Sequence, residues 1–387
     1  MGYIAILWHV GAACVKEIQG FRFMGQSTCK RVLFLLPSMA AGGAERVLIQ
    51  LANGTDRSAF DPFFTCVCSP FTLAGCLDET VPLSILNCRT TLRALWPIYR
   101  KIRDVQPDIV VSTLPHMNFA SLMLSLFFPK VKFVVREAIT PSYLLDKYGA
   151  AGILIRVLFK TLYPRADLIL SPSRKILEEL SEITPDRNGV FTVLPNPVDV
   201  KALREGTPFD ETTGSKTIRF VACGRLVLQK GFDRLLEVCA GLHLLQDWRL
   251  DILGDGPDKQ ALEQQIEETG LAGKVFLKGH VERPSDYFAR ADCFLLPSRY
   301  EGLPNVALES LACGTPVIAS CDAGGIAEIK AEASEGAVFI ADDMGLFKTA
   351  MEKIVSAGKQ NAAPSLLPDI YKKENVLARF NALLKTL

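Results

Sequence analysis

The chain has 387 residues, 49% of them apolar and 22% charged, and its 43 Lys and Arg against 42 Asp and Glu leave a formal net charge of +1. That length exceeds what one hydrophobic core usually serves, so two domains are expected, and so even a charge balance leaves no electrostatic footprint for nucleic acid. The 11 Cys show no paired Cys-x-x-Cys spacing. Cys66 and Cys68 alone build no zinc site, and the set reads as reduced, mostly buried thiols of a cytoplasmic protein.

No apolar run reaches the roughly 18 to 20 residues that a spanning helix needs. Residues 3–15 are apolar, but no basic stretch precedes them and no cleavage site follows Lys16-Glu17. The α/β pattern starts only at Lys30, with Met24 just upstream. Residues 1–29 are therefore read as an N-terminal extension, and 1–23 as dispensable or absent from the natural protein, with Met24 as the start.

In chain order, 32–36 is predicted as a strand, closed by a loop with Gly42-Gly43, and 44–52 as a helix. Such a Gly pair suits close backbone approach to a ligand or a tight turn without one. Residues 91–105 read as a basic amphipathic helix and 109–113 as a strand, with His116 at the strand's C-terminal end, where open α/β sheets place ligands. A strand over 132–135 ends in Arg136-Glu137, a pair that lines the same cleft or forms an internal ion pair. Residues 143–163 are apolar with Lys147, Arg156 and Lys160 interspersed. That pattern suits a helix lying on an anionic membrane surface, and equally a core helix with solvated basic ends. A strand at 166–171, a helix at 174–182 and a break at 193–199 complete the first half. A flexible linker follows, its Gly-, Thr- and Ser-rich part being 206–216.

The second half opens with a strand at 218–223, a Gly-rich loop from Gly224 to Gly231 and a helix at 232–244. Arg225 and Lys230 stand five apart on that loop, placed to grip a diphosphate, one through a planar fork and one as a point charge. Strands at 249–253, 275–277 and 279–281 flank Gly254-Asp-Gly-Pro257 and a helix at 258–268. The most informative stretch follows. Residues 293–296 read as a buried strand, Glu301-Gly302-Leu303-Pro304 as a loop, 305–313 as a helix stopped by Gly314-Thr-Pro316, and 317–319 as another strand. The helix N-terminus would point at the sheet rim, where free amides and the helix dipole favour an anion. Glu301 and Glu309 frame that helix start with seven residues between them. Carboxylates repel phosphate but accept hydrogen bonds from hydroxyls, so a sugar nucleotide would satisfy the whole arrangement. Two Glu taken alone would equally suit a solvated surface helix.

The complete string, Glu301-Gly-Leu-Pro-Asn305 through Glu309 to Ala-Cys-Gly-Thr-Pro-Val-Ile, closely resembles the retaining glycosyltransferases of the GT-B fold, the large group-1 family (family four). The resemblance spans roughly residues 31–385. It implies an α/β fold of two Rossmann-like domains whose parallel sheets face each other across a central cleft. The acceptor-side domain would be 30–200, the linker 201–216, the nucleotide-sugar domain 217–370, and a C-terminal helix, 371–387, would cross back onto the first.

Residue by residue, the resemblance implies donor contacts from Gly43, Gly224, Arg225, Lys230, Gly254, His280, Val281, Glu301, Gly302, Leu303, Pro304, Asn305 and Glu309. Arg225, Lys230 and Glu301 would be the catalytic set. Glu301 would hold the hexose and Glu309 the ribose, while Arg225 and Lys230 would stabilise the departing diphosphate. Glu45, His116, Arg136 and Glu137 are acceptor-side candidates, Glu45 alternatively being a helix-start charge. No Asp-x-Asp occurs, in keeping with a site that uses no metal or other cofactor. The expected partners are a nucleotide-sugar donor, UDP-linked by family frequency rather than GDP-linked, and a saccharide acceptor. Basic apolar helices near 91–103 and 153–165 favour a polyprenyl-diphosphate-linked acceptor and peripheral contact with the inner face of the cell membrane. A nicotinamide oxidoreductase is disfavoured by the lack of a Gly-x-Gly-x-x-Gly fingerprint. A nucleotide-sugar epimerase of the same fold is the standing alternative.

Overall fold

The computed structural model describes residues 29–40, 42–184, 189–206, 217–354 and 363–387. The expected N-terminal extension, save Cys29, and the Gly-rich part of the linker, save Gly206, fall outside these residues. The beginning of the expected linker is instead the helical turn Val200–Arg204, started by Asp199, whose carboxylate accepts from the Ala202 amide at 2.9 Å.

Two parallel sheets form the framework. The first has seven strands: β1 (Lys30–Ser38), β2 (Phe60–Cys68), β3 (Leu83–Ile85), β4 (Ile109–Thr113), β5 (Lys132–Arg136), β6 (Leu168–Ser171) and β7 (Phe191–Val193). The second has six: β8 (Ile218–Cys223), β9 (Trp248–Leu253), β10 (Val275–Gly279), β11 (Cys293–Leu296), β12 (Val317–Ser320) and β13 (Val338–Ala341). Their orders are β3-β2-β1-β4-β5-β6-β7 and β10-β9-β8-β11-β12-β13. In each, the chain runs outward from its first strand and then returns past it. The reversal opens a crevice beyond the C-terminal ends of β1 and β4 in one sheet and of β8 and β11 in the other, where such sheets bind ligands.

Side chains alternate across each strand and bury both faces. Along β1, Val32, Phe34 and Leu36 join one core cluster with Phe64, while Leu33 and Leu35 face the other side with Phe133, Phe159 and Tyr163. The C-terminal helix Lys373–Lys385 is anchored in the first of these: Val376, Phe380 and Leu384 are buried there, and the Phe380 ring lies 6.3 Å from that of Phe34. Asn381 clamps it by accepting from the Asp56 amide at 2.9 Å and donating to the Gly54 carbonyl at 2.9 Å.

Several expected elements change. The helix read over 143–163 is two, Pro141–Tyr148 and Gly152–Leu162, separated by a tight turn. Gly149 there takes φ +48, which breaks the helical path. The helix 91–105 begins only at Leu95, and 232–244 ends at Ala240. Residues 275–281 give one strand ending at Gly279.

Candidate active site

The site is built from strand ends. After β8 the chain passes Gly224 and the exposed Arg225 to Gln229 and Lys230, and after β11 it passes Ser298 to Pro304. These loops are laced together: the Arg299 amide donates to the Gln229 carbonyl at 2.8 Å and Gln229 Nε2 to the Tyr300 carbonyl at 3.0 Å. Two side chains not singled out from the sequence hold the second loop from beneath. Arg234 donates from Nε to Pro297 O and from Nη2 to Ser298 O, both at 2.7 Å. Arg299 forks onto Asp233 with two bonds of 2.7 Å. In the sequence each is only one more cation near a strand-to-helix loop, with nothing to mark its partner.

Lys230 and Glu301 were expected to serve separate parts of a ligand. Here they serve each other: Lys230 Nζ donates to Glu301 Oε1 at 2.5 Å, and Ser298 Oγ donates to the same oxygen at 2.9 Å. With side-chain exposures of 18% and 10%, the pair sits largely out of water and neutralises itself. A ligand must therefore share these groups rather than find them free.

Glu301 precedes the helix Asn305–Ala312, and Glu309 lies on it. Burial pushes the Glu309 carboxyl up to about 7, against an opposing pull from Arg46 of the first domain. None of the described residues hydrogen-bonds that carboxyl, which leaves it open to ligand hydroxyls.

From the first domain, Gly43 opens the helix Gly43–Asn53 directly against Asn305: a Cβ on Gly43 would stand 2.8 Å from the Asn305 amide nitrogen. Glu45 folds back beside Gly42, and desolvation raises its pKa. His116 lies on the first turn of the helix Pro115–Leu124, reached by solvent, while the protein beneath its ring lowers its pKa. Arg136 and Glu137, at the end of β5, are 1% and 0% exposed. They do not form the simple ion pair considered above. Glu137 accepts from the Tyr163 hydroxyl and from the Ile139 amide, and burial lifts its pKa to about 7. Arg136 Nη2 donates to Asn196 Oδ1, and Asn196 Nδ2 donates to Asn305 Oδ1 in the other domain.

Between the two sets of strand ends lies a cleft of about 450 Å³. Of the residues expected from the sequence, Gly43, Arg136, Gly224, Arg225 and Lys230 line it, together with Glu301, Gly302, Leu303 and Asn305. Gly254, His280, Val281, Pro304 and Glu309, and on the first domain Glu45, His116 and Glu137, are not among its walls. Tyr143 and Tyr300, which stack across the domains at 4.4 Å, line it without having been expected. A recess of similar size near Arg249, Asp251 and Lys278 holds none of the expected residues. Among the described residues, no three His, Cys, Asp or Glu converge as metal ligands.

Two parallel doubly wound sheets facing a shared cleft make this a GT-B protein. The architecture matches Anabaena HepE, solved in complex with UDP and glucose (TM-score 0.74, 19% identity, covering 92% of this chain and all of that one), and the lipopolysaccharide outer core galactosyltransferase WaaB (TM-score 0.71, 18% identity, 92% and 100%). The sequence carries the assignment further. Residues 204–365 match the family model "Glycosyl transferases group 1" and residues 41–202 match "Glycosyltransferase Family 4". The amylovoran biosynthesis glycosyltransferase AmsD of Erwinia amylovora is 31% identical over 362 residues, 92% of this chain and 99% of the relative. A Campylobacter jejuni protein, named N-acetylgalactosamine-N,N'-diacetylbacillosaminyl-diphospho-undecaprenol 4-alpha-N-acetylgalactosaminyltransferase, is 33% identical over 235 residues, 60% of this chain and 62% of its own length. The chain belongs to the group 1 glycosyltransferases and is a glycosyltransferase enzyme. Neither relative gives support to the epimerase alternative.

Proposed function

We propose that this enzyme moves a hexose or N-acetylhexosamine from a UDP-sugar to a saccharide acceptor with retention of configuration, without a metal, in the assembly of a surface polysaccharide or related glycan. The observation that carries this reading is the Lys230–Glu301 pair set beside the N-terminus of the helix Asn305–Ala312 in the interdomain cleft. The donor diphosphate lies at the helix amides and draws Lys230 and Arg225 to itself, releasing Glu301 to the hexose hydroxyls. Glu309 takes the ribose. The glycosidic C–O bond to the diphosphate breaks through an oxocarbenium-like state while the acceptor oxygen bonds to the same face of the anomeric carbon. The leaving phosphate oxygen accepts the acceptor's proton.

The acceptor is read as polyprenyl-diphosphate-linked, by analogy with the diphospho-undecaprenol named for the Campylobacter relative. The first domain has a surface suited to such a substrate. The helix Pro115–Leu124 packs against both Leu95–Val105 and Gly152–Leu162, and this group, with the turn Ser125–Phe127 that follows the first, exposes Trp96, Phe127, Ile153 and Leu154 at 62–72%. Arg93, Arg100, Arg103, Arg156 and Lys160 are exposed alongside. The helix Gly152–Leu162 thus combines both readings of its sequence: Phe159 and Leu162 enter the core while Ile153, Leu154 and Val157 face outward. No helix among the described residues is long and apolar enough to cross a membrane. Peripheral attachment at the cytoplasmic face fits this pattern.

The test is calorimetry with UDP, GDP and ADP and their sugars, followed by NMR of the anomeric proton of the product. UDP bound most tightly and an unchanged anomeric configuration are expected, with turnover insensitive to EDTA. Inversion, or an absolute requirement for a divalent cation, would overturn the mechanism. Glu309→Ala should weaken UDP binding, and an unchanged affinity would remove its ribose role.

A further inference from the structure

Arg136 is the anomaly in this cleft. A guanidinium carries five N–H donors and stays ionised, so burying it unpaired is costly. Arg136 is 1% exposed, yet only Nη2 has a partner, the neutral carbonyl of Asn196; Nε and Nη1 have none. Burial draws its pKa down to about 10, with Glu137 acting the other way, so the group remains charged at neutral pH. The neighbouring carboxylate does not satisfy it, because the Glu137 oxygens are occupied by Tyr163 and the Ile139 amide. The backbone holding Arg136 is fixed: its carbonyl accepts from Thr113 Oγ1 at 3.2 Å and from Asn118 Nδ2 at 3.1 Å. A charged side chain has been placed rigidly at a cleft wall with two of its donor nitrogens open and no carboxylate bonded to it.

What stands between this cation and the opposite wall is an amide bridge. Asn196 receives from Arg136 and donates to Asn305, the first residue of the helix whose N-terminus faces the cleft. Two groups that attract negative charge, a buried guanidinium and a helix N-terminus, are thus separated by the side-chain amides of Asn196 and Asn305. An oxyanion would satisfy both ends better than the amides do.

We propose that Arg136 is an anion-binding residue of the first domain: a phosphate oxyanion of the bound substrates parts Asn196 from Asn305 and takes the free Nε and Nη1 of Arg136 as a bidentate partner. This rests on the donor reading above and adds to it a cation from the opposite domain. The shared chemistry is phosphate, and its source is either the donor diphosphate or a phosphate carried by the acceptor. The protein bonds no carboxylate to the guanidinium because the substrate supplies that partner. An empty cleft is then less stable than a filled one, and domain closure is linked to anion binding.

The experiment uses the full chain with Arg136→Met, similar in length and apolar, and Arg136→Lys, which keeps the charge and loses the fork. Calorimetry with UDP, UMP, uridine and inorganic pyrophosphate is combined with thermal melts of ligand-free protein. If the oxyanion is the donor's, Arg136→Met should lose about tenfold or more in UDP affinity and almost nothing for uridine, with Arg136→Lys between. If it is the acceptor's, UDP affinity stays, and pyrophosphate binds UDP-loaded wild type but not UDP-loaded Arg136→Met. Either result supports the proposal. The ligand-free midpoint of Arg136→Met should equal or exceed that of wild type, since an unpaired buried charge has been removed. A lowered midpoint with UDP and pyrophosphate affinities unchanged would make Arg136 a structural residue and overturn the proposal. Should Arg136→Met not fold, wild type and Arg136→Lys decide it: no melting shift of wild type with pyrophosphate beyond salt-matched chloride, or equal affinities in the two proteins, overturns it. Wild type that binds pyrophosphate through Arg136 but not UDP would refute the donor reading and leave this site standing.

Discussion

The two walls of the cleft keep their charges in opposite ways. On the second domain Lys230 and Glu301 are already paired at 2.5 Å; on the first, Arg136 lies buried with two nitrogens unsatisfied. A pre-paired site is stable when empty, and its charges must be re-shared when a ligand arrives. An unpaired one carries its desolvation cost until the ligand comes. One wall is therefore built to exchange partners and the other to acquire one.

The largest expected effect tests the wall that exchanges. Lys230→Ala and Arg225→Ala should each lower turnover by about a hundredfold or more, as loss of a preorganised charge stabiliser does. Lys230→Ala also leaves Glu301 partly buried without its cation. Adding Glu301→Gln to Lys230→Ala should then cost much less than Glu301→Gln alone, since the two act as one unit. Full activity in both single alanine variants would break the comparison at its root.

The first wall is probed next through stability. The ordinary carboxyl value near 4.5 describes Glu137 in the unfolded chain, and burial moves it to about 7 in the folded one. Below pH 4.5 both states hold the proton and there is no penalty. As pH rises, the unfolded chain ionises first, so stability falls through this window and levels off above about 7. The loss is of order 3 kcal/mol at most, from a shift of two to three pKa steps. Glu137→Gln should remove its share of that fall and leave the share of Glu309, whose carboxyl burial also lifts to about 7, as seen by chemical denaturation at pH 4.5 to 8. A wild-type curve rising through the same window would show that the carboxyl is stabilised as the anion.

A smaller effect is expected where the walls meet. A methyl on Gly43 would press on the Asn305 amide, which Asn196 holds in place. Gly43→Ala should lower kcat/KM by about tenfold, and Asn305→Ala in the same chain should recover much of that loss. No recovery would mean that the glycine matters for its backbone rather than for its neighbour.

How much of this was legible in the sequence differs between the walls for a physical reason. The second wall is local: Gly224 to Gly231 and Glu301 to Glu309 are short strings in which loop, helix start and charge sit together, so residue order alone suggested a site. Even there the Lys230–Glu301 pairing was not visible, because the partners are far apart in the chain and meet only through adjacent β8 and β11. The first wall is assembled from afar. Arg136 reaches Asn196, and Glu137 reaches Tyr163, through strand order rather than spacing. The strands themselves divided the same way. β1, β5 and β11 were visible as apolar runs, whereas β2, with Asp61 and Pro62 near its start, and the three-residue β3 and β7 were not. Edge strands that short owe their form to a neighbour more than to their own pattern.

The smallest predicted effect concerns what holds the walls together. The helix Arg174–Ile183 in the first domain follows Ser173, a residue type suited to capping, yet Ser173 Oγ has no partner. The cap comes from the other domain instead: the Glu328 carboxylate accepts from the Arg174 and Lys175 amides at 2.9 and 3.2 Å. Were the domains to part, the Ser173 hydroxyl would be placed to take the vacated Lys175 amide. The helix end is then satisfied in both states, and the closed state gains only the difference between a carboxylate and a hydroxyl cap. That difference is about 1 kcal/mol, so Glu328→Ala should raise the donor KM by roughly fivefold at most, through a smaller closed population. Ser173→Ala removes the competitor and should shift KM the other way. Small-angle scattering of ligand-free protein should show Glu328→Ala more extended and Ser173→Ala unchanged or more compact. Equal scattering from all three proteins would mean that this contact caps a helix and does nothing to hold the cleft closed.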